Sequence, residues 1–146
     1  MNEKLPPDQA TRQFFASLME SQCHVSWGIF SKASQDKFAE WALQELYTRN
    51  KDAAENAKLG IKEVKLMFER NDSILLKFFW RRFFFSSGTN ELYRLGYFTV
   101  DSVKGNKAVI KVTLKYPNGQ VQEVGLPMVM ERGGWRLAYV EHNLPF

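Results

Sequence analysis

The sequence predicts an α+β domain in which N-terminal helices pack on a curved, four-stranded antiparallel meander sheet with a cone shape. Three observations predict this class. Apolar residues recur at helical spacing through the first half of the chain, the period changes to alternation near residue 107, and turn signals separate the later segments. At 146 residues the chain suits a single domain over 1–146, with a helical half over about 7–88 and a sheet half over about 92–142.

The first half of the chain has the pattern of several amphipathic helices. Asp8, after two prolines, is the expected N-cap of a helix that runs to about residue 22, and residues 25–30 form a short second helix. Ser34 is the expected cap of a third helix. Asp52 begins a capping-box pattern, so residues 52–70 are expected to form one long helix.

Residues 77–88, KFFWRRFFFSSG, place six aromatic rings around two adjacent arginines. With Asp72 as the N-cap and Gly88 as the stop, this stretch is predicted to be a helix whose narrow polar stripe contains Arg81. If the stretch were a strand instead, alternate rings and Arg82 would share one face.

Arg82 falls in the middle of the apolar arc of this predicted helix. Its guanidinium is always charged, so burial there requires a carboxylate or an anionic ligand. Asp101 and Glu141 are the candidate carboxylates, because strand alternation would point both of them inward. The main interpretation is a structural ion pair with one of these acids. The alternatives are a bound anionic ligand and an Arg82 directed to solvent.

The second half of the chain has the period of β-strands. Apolar side chains alternate with lysines and a threonine over residues 107–116, as expected for a strand with one wet face. Asn118-Gly119 is a strong hairpin signal, residues 120–130 pair back, and a glycine turn leads into a last strand. Residues 93–103 supply a further strand, so four strands form the predicted meander.

Both ends of the chain carry a family resemblance. Residues 7–34, PDQATRQFFASLMESQCHVSWGIFSKAS, and residues 131–142, ERGGWRLAYVEH, resemble the nuclear transport factor 2-like (cystatin-like cone) superfamily. The long segment 52–70 departs from that pattern. The resemblance implies a cone-shaped fold with an interior pocket and frequent dimerisation. It implies no particular reaction, because members include isomerases, dehydratases and transport adaptors.

Composition limits the classes of partner. Twenty Lys and Arg against sixteen Asp and Glu give a net charge of +4, which mildly favours anionic partners. No nucleic acid is predicted, because the basic row Lys107, Lys111 and Lys115 has no aromatic residues in it. No membrane is predicted either, because the aromatic stretch is too short to span a bilayer.

The chain predicts no metal site and no cofactor. Its single cysteine, Cys23, excludes an internal disulfide, and two histidines offer no ligand cluster. The N-terminus lacks the apolar segment of a secretory signal, so a cytoplasmic protein is expected. A chain whose leader had been removed would give the same prediction.

Two functional hypotheses follow. The first is a non-catalytic small-ligand-binding or assembly module, with an aromatic-lined pocket for a small apolar or anionic ligand and a homodimer through the sheet. Its predicted ligand-binding residues are Phe78, Arg82, Tyr93, Tyr97, Trp135 and Tyr139. Its candidate apolar residues for the dimer face are Phe98, Val100 and Val109.

The second hypothesis is a small lyase or isomerase with Asp101 as the general base in the pocket. Tyr93 and Tyr97, on the same predicted strand face, would donate hydrogen bonds, because the family's enzymes commonly pair an Asp or His with tyrosines. A pocket filled by phenylalanine rings would argue against this enzyme. A hydrated cavity with Asp101 at its base would argue for it.

Overall fold

A computed structural model describes residues 5–71, 76–86 and 89–139, with only the backbone described for 85, 86, 89 and 90. Over these residues the chain forms seven helices followed by a four-stranded antiparallel sheet, which confirms the α+β prediction. The predicted cap Asp72, the stop Gly88 and the carboxylate Glu141 lie outside the described residues.

The helices come first in the chain and the strands follow. The helices are α1 (Pro7–Met19), α2 (Cys23–Ile29), α3 (Lys32–Arg49), α4 (Lys51–Asn56), α5 (Ile61–Glu69), α6 (Lys77–Ser86) and α7 (Thr89–Leu95). The strands are β1 (Gly96–Lys104), β2 (Lys107–Lys115), β3 (Val121–Glu131) and β4 (Gly134–Leu137). They are hydrogen-bonded in the order β1-β2-β3-β4, so the predicted meander is confirmed.

The sheet has a buried inner face and a more exposed outer face. The alternation of β2 sets this division, because Ala108, Ile110, Val112 and Leu114 are all buried while the lysines between and beside them stay accessible. The turn from β2 to β3 follows the predicted hairpin signal, with Gly119 at a φ of 87°. That backbone conformation favours glycine.

The first strand begins later than predicted. Residues 93–95 belong to α7, and β1 starts at Gly96. A Cβ atom at Gly96 would lie 2.1 Å from the backbone oxygen of Leu92 and 2.7 Å from Cγ1 of Val112. The absence of a side chain at this position therefore lets the end of α7 pass directly into the sheet.

This start reverses the predicted parity of β1. Phe98 pairs with the buried Val112 and is itself buried, whereas Tyr97 pairs with Thr113 on the outer face. Phe98 stacks on Phe15 of α1 at a centroid distance of 5.3 Å. The expectation that Phe98 would be exposed on the dimer face is therefore wrong.

Two helix caps also differ from the prediction. α1 begins at Pro7 with Pro6 as its N-cap, so Asp8 lies in the first turn and is not the cap. Proline suits the first helical position, where its missing N–H has no intrahelical partner. α3 is capped by Ser31, whose side chain accepts a hydrogen bond from the backbone N–H of Ser34.

Residues 52–70 form two helices, and the prediction of one long helix is wrong. The side chain of Asn50, not that of Asp52, accepts the capping hydrogen bond of α4. Lys58 then has a φ of 52°, a left-handed conformation that ends the helical path, and Gly60 is the N-cap of α5. Side-chain periodicity continues across this break, which is why it gave no signal of the interruption.

A cluster at the β3–β4 turn holds the helices on the sheet. The Arg136 guanidinium donates to the backbone oxygens of Gly28, Glu131 and Arg132, at 2.7, 3.2 and 3.1 Å. The carboxylate of Glu131 in turn accepts from the backbone N–H of Lys32. Burial and the nearby Arg132 charge lower the pKa of Arg136, against an opposing effect of Glu131. The guanidinium still donates to a carbonyl of the helical layer, at Gly28, and to two carbonyls at the end of the sheet, at Glu131 and Arg132.

Candidate functional site

The aromatic stretch is confirmed as a helix, α6, but its arginines both lie on the exposed side. Phe79 and Phe83 are fully buried, Trp80 is nearly so, and Arg81 and Arg82 are exposed. Arg82 lies over the ring of Trp41 in α3, with its Cζ atom 5.1 Å from the ring centroid. The prediction of a buried Arg82 is therefore wrong.

The error comes from how the apolar arc was centred. Phe78, predicted to line an interior pocket, is only half-buried and packs on the flank of α3, whereas Trp80 is nearly fully buried. Including Trp80 turns the buried arc towards Phe79 and Phe83, which moves Arg82 to its edge. Arg82 forms no ion pair with any described residue, so the predicted pair with Asp101 is absent from the described part of the chain.

Aromatic rings fill the interior where a pocket was predicted. Phe83 lies 5.1 Å from Tyr139, 5.5 Å from Phe30 and 6.0 Å from Phe14, measured between ring centroids. These spacings are those of directly packed rings. The largest fully buried side chains in the described residues include Phe14, Phe15, Phe30, Phe68, Phe79 and Phe83.

The predicted ligand-binding residues do not converge on one site. Tyr139 is buried, and the half-buried Trp135 pairs with Met130 on the inner face, as their parity predicted. Tyr93 is 40% exposed and Tyr97 is 65% exposed, so their predicted inward orientation is wrong. These residues thus divide between the core, the outer sheet face and the helical surface.

Asp101 is exposed on β1, at the point where the register with β2 shifts between Val100 and Ser102. The prediction that it faces the interior is wrong, because the late start of β1 and this bulge both change the alternation. A general base works in a site that shields it from water and holds the substrate proton nearby. The surroundings of Asp101 provide no such enclosure among the described residues.

An open depression of about 450 Å³ lies elsewhere, on the surface of the helical layer. None of the predicted ligand-binding residues lines it. Its lining residues all come from α5 and are Ile61, Lys62, Lys65, Leu66 and Glu69. Lys65 also pairs with Asp36 of α3. In the described ranges, no three His, Cys, Asp or Glu side chains cluster as metal ligands would.

An aromatic and cationic cluster that was not predicted from the sequence lies where α3 meets α6. Phe78 lies between Trp41 and Arg49, with its ring 5.8 Å from that of Trp41 and 4.8 Å from the Cζ atom of Arg49. Arg82 in turn lies over the ring of Trp41. The signal in the sequence was the spacing of Trp41 and Arg49, which are eight residues apart and so share one flank of a helix.

The outer face of the sheet is the second surface that stands out. Helices α1, α2 and α7 contact the sheet, and the strand residues buried beneath them share the inner parity. Every outer-face side chain of β1, β2 and β3 remains at least partly exposed. Val109 and Pro127 are paired across β2 and β3 on this face, and Val129 follows on β3.

The chain has no match among protein-family models, curated proteins or solved structures. The resemblance to the nuclear transport factor 2-like superfamily and the cone shape therefore stay predictions. Helices of the described segments are too short or too polar to cross a membrane.

Proposed function

We propose that this chain is a non-catalytic assembly module that forms a homodimer through the outer face of its sheet. The observation that carries the proposal is the open outer face, where Val109, Pro127 and Val129 form an apolar centre that no described helix covers. The family resemblance expected from the two ends of the chain agrees with the proposal, because it implies frequent dimerisation.

The size of this face suits a dimer. Four strands spaced about 4.8 Å apart, with about nine residues in the longer ones at about 3.3 Å each, give a face of about 500 Å². Two copies would then bury about 1,000 Å² together, which is at the lower limit for a specific interface. A pair of this size is expected to be reversible at micromolar concentrations.

This face carries charges of both signs, with Lys107, Lys111 and Lys115 on β2 and Glu123 on β3. Lys111 of β2 lies beside Gly125 of β3, and the neighbouring outer-face pair is Thr113 with Glu123. The face therefore carries both signs around its apolar centre. In a two-fold arrangement each surface meets a copy of itself, so Lys111 of one copy can approach Glu123 of the other. A wholly basic face would repel its copy.

The kinds of polar side chain buried in the interior favour an assembly role over catalysis. The buried polar side chains in the described residues are hydroxyls, namely Thr11, Ser17, Ser26, Ser31 and Ser34. Ser17 and Ser26 bond to each other and to the backbone oxygen of Phe14. Such groups stabilise helix packing. A buried carboxylate, which proton transfer would use, is not among them.

Sedimentation velocity over about 1–100 µM tests the dimer, since that range brackets the affinity expected for a small interface. The wild type should shift from monomer to dimer. Val109→Glu should weaken dimerisation by about 100-fold or more, because two like charges would be buried at the interface. Neighbouring lysines at 107 and 111 make Glu tolerable in the monomer.

Val103→Glu is the matched control. Val103 is 51% exposed and pairs with Ala108 on the inner face of the same sheet, so it places the same new charge on the opposite side. It should leave the dimer constant within about twofold. A wild type that stays monomeric at the highest concentration, or a Val109→Glu protein that dimerises as tightly as wild type, would contradict the proposal.

A further inference from the structure

Two arginines flank a pair of aromatic rings on the surface where α3 meets α6. Arg49 lies over Phe78, Phe78 packs against Trp41, and Arg82 lies over Trp41, at 4.8, 5.8 and 5.1 Å respectively. We call these four side chains the arginine–aromatic surface. It belongs to the helical layer, so it is separate from the outer sheet face and does not depend on dimerisation.

This surface has an excess of positive charge. Arg49 has a partner in Glu45, at 3.6 Å, while Arg82 forms no ion pair with a described residue. Lys77 and Arg81 are exposed on the same helix as Arg82. The sequence has no Asp or Glu at any position from 73 to 90. An anionic partner would therefore meet several cations that folding leaves unneutralised.

The rings make these arginines different from ordinary surface cations. A guanidinium held over an aromatic face has lost part of its rotamer freedom already, so less entropy is lost when it binds. Its N–H groups can still donate to a phosphate, and the guanidinium plane offers a surface on which a base can stack. Each arginine can thus contact both parts of a nucleotide.

We propose that the arginine–aromatic surface binds single-stranded nucleic acid without sequence preference. A single strand carries a phosphate charge and a flat base in every unit, and the two guanidiniums that flank the ring pair here can contact both. The expectation of no nucleic acid rested on the lysine row of the sheet, which lacks rings. On the helical surface the two side-chain types occur together.

Other polyanions fit this surface less well. A membrane surface would need apolar side chains that project into the lipid, whereas Phe78 and Trp41 are half-buried and have guanidinium groups over their faces. A nucleic-acid duplex offers phosphates but keeps its bases stacked on one another. Both serve as comparisons in the test.

Fluorescence anisotropy with a labelled oligo-dT of about 12 nucleotides measures the binding, a length within the usual site size. We expect saturable binding that weakens as salt is raised. The variant Arg49→Ala/Arg82→Ala should weaken it about tenfold and lower the salt slope by about 1.4, because about 0.7 is lost per phosphate contact. The variant Arg49→Lys/Arg82→Lys should bind with intermediate affinity and an unchanged salt slope, because charge remains while stacking is lost.

The control variant Lys32→Ala/Lys62→Ala removes the same charge from exposed helical positions outside this surface. It should stay within about twofold of wild type. A control that weakens binding as much as the arginine variant would overturn the proposal. The proposal would also be overturned if the protein showed no saturable binding, or if it bound a duplex of equal length as tightly as the single strand. A protein that sediments with phosphatidylserine vesicles but does not bind the oligonucleotide would overturn it too.

Discussion

Truncation of Phe83 tests whether the aromatic interior is a packed core. This ring is fully buried, and its centroid lies 5.1–6.2 Å from those of six neighbouring rings. Phe→Ala in such a site loses the transfer free energy and leaves a cavity, at a cost of about 3–5 kcal/mol. For a domain of 146 residues we expect the melting temperature to fall by about 10 °C.

Phe78→Ala is the matched control, because it makes the same change in the same helix. Phe78 is half-buried, and its truncation opens no enclosed cavity, so about 1–2 kcal/mol is expected. Urea denaturation followed by circular dichroism, at one protein concentration, gives both free energies of unfolding. If Phe83→Ala costs no more than Phe78→Ala, with unchanged m-values, the rings line an open pocket and the reasoning fails.

Two further predictions concern glycine and cysteine. Gly96→Ala should lower the free energy of unfolding by more than about 2 kcal/mol, since the new Cβ would meet the backbone oxygen of Leu92 at 2.1 Å. Gly28 lies in a helix with open space around it, so Gly28→Ala should raise the free energy of unfolding by about 0.5–1 kcal/mol in the same denaturation assay. Burial raises the pKa of the Cys23 thiol, so folding is favoured below the unfolded pKa of about 8.5 and this contribution is lost as the pH rises above it. Cys23→Ala should therefore lose less stability than wild type between about pH 8 and pH 10 in urea denaturation, and parallel pH curves for the two proteins would refute this.

The sheet was predictable where one strong pattern decided the structure. In β2 the buried Ala108, Ile110, Val112 and Leu114 alternate with outward-facing residues that are polar except for Val109, and a shift of one position would expose all four. The hairpin after β2 was predictable for a similar reason, since Asn118-Gly119 suits few other conformations. Local sequence and burial agree in this part of the chain.

The start of β1 was not predictable, because the pattern of apolar side chains does not show where α7 ends. Tyr93 and Leu95 suit a strand as well as a helix, and only the close approach of Leu92 to Gly96 shows where the helix ends. One misplaced boundary then reversed the parity of the strand. The error placed Asp101 and two tyrosines in the interior, and the enzyme hypothesis depended on that placement.

The candidate site was predictable in its composition but not in its arrangement. Residues 77–85 were correctly expected to form a helix that buries phenylalanines. A helical wheel shows angles, but it does not show which neighbouring helix covers each side. α3 supplies Trp41, and this ring gives Arg82 a position outside the core that no pattern within α6 could indicate. Interhelical contacts therefore decide the chemistry of this surface.

A core made of rings also explains why recognition is expected at the surface. Packed phenylalanines leave the interior apolar, and a charged group placed there would need a desolvated partner at a cost of several kcal/mol. Arg136 shows the alternative, since it is partly buried only by donating to three backbone oxygens at once. Arg82 has no such set of acceptors among the described residues. It lies at the edge of the core instead, with its Cζ atom 5.1 Å from the centroid of the Trp41 ring and its side chain exposed. An anion that bound there would not have to displace an ion pair with a described residue.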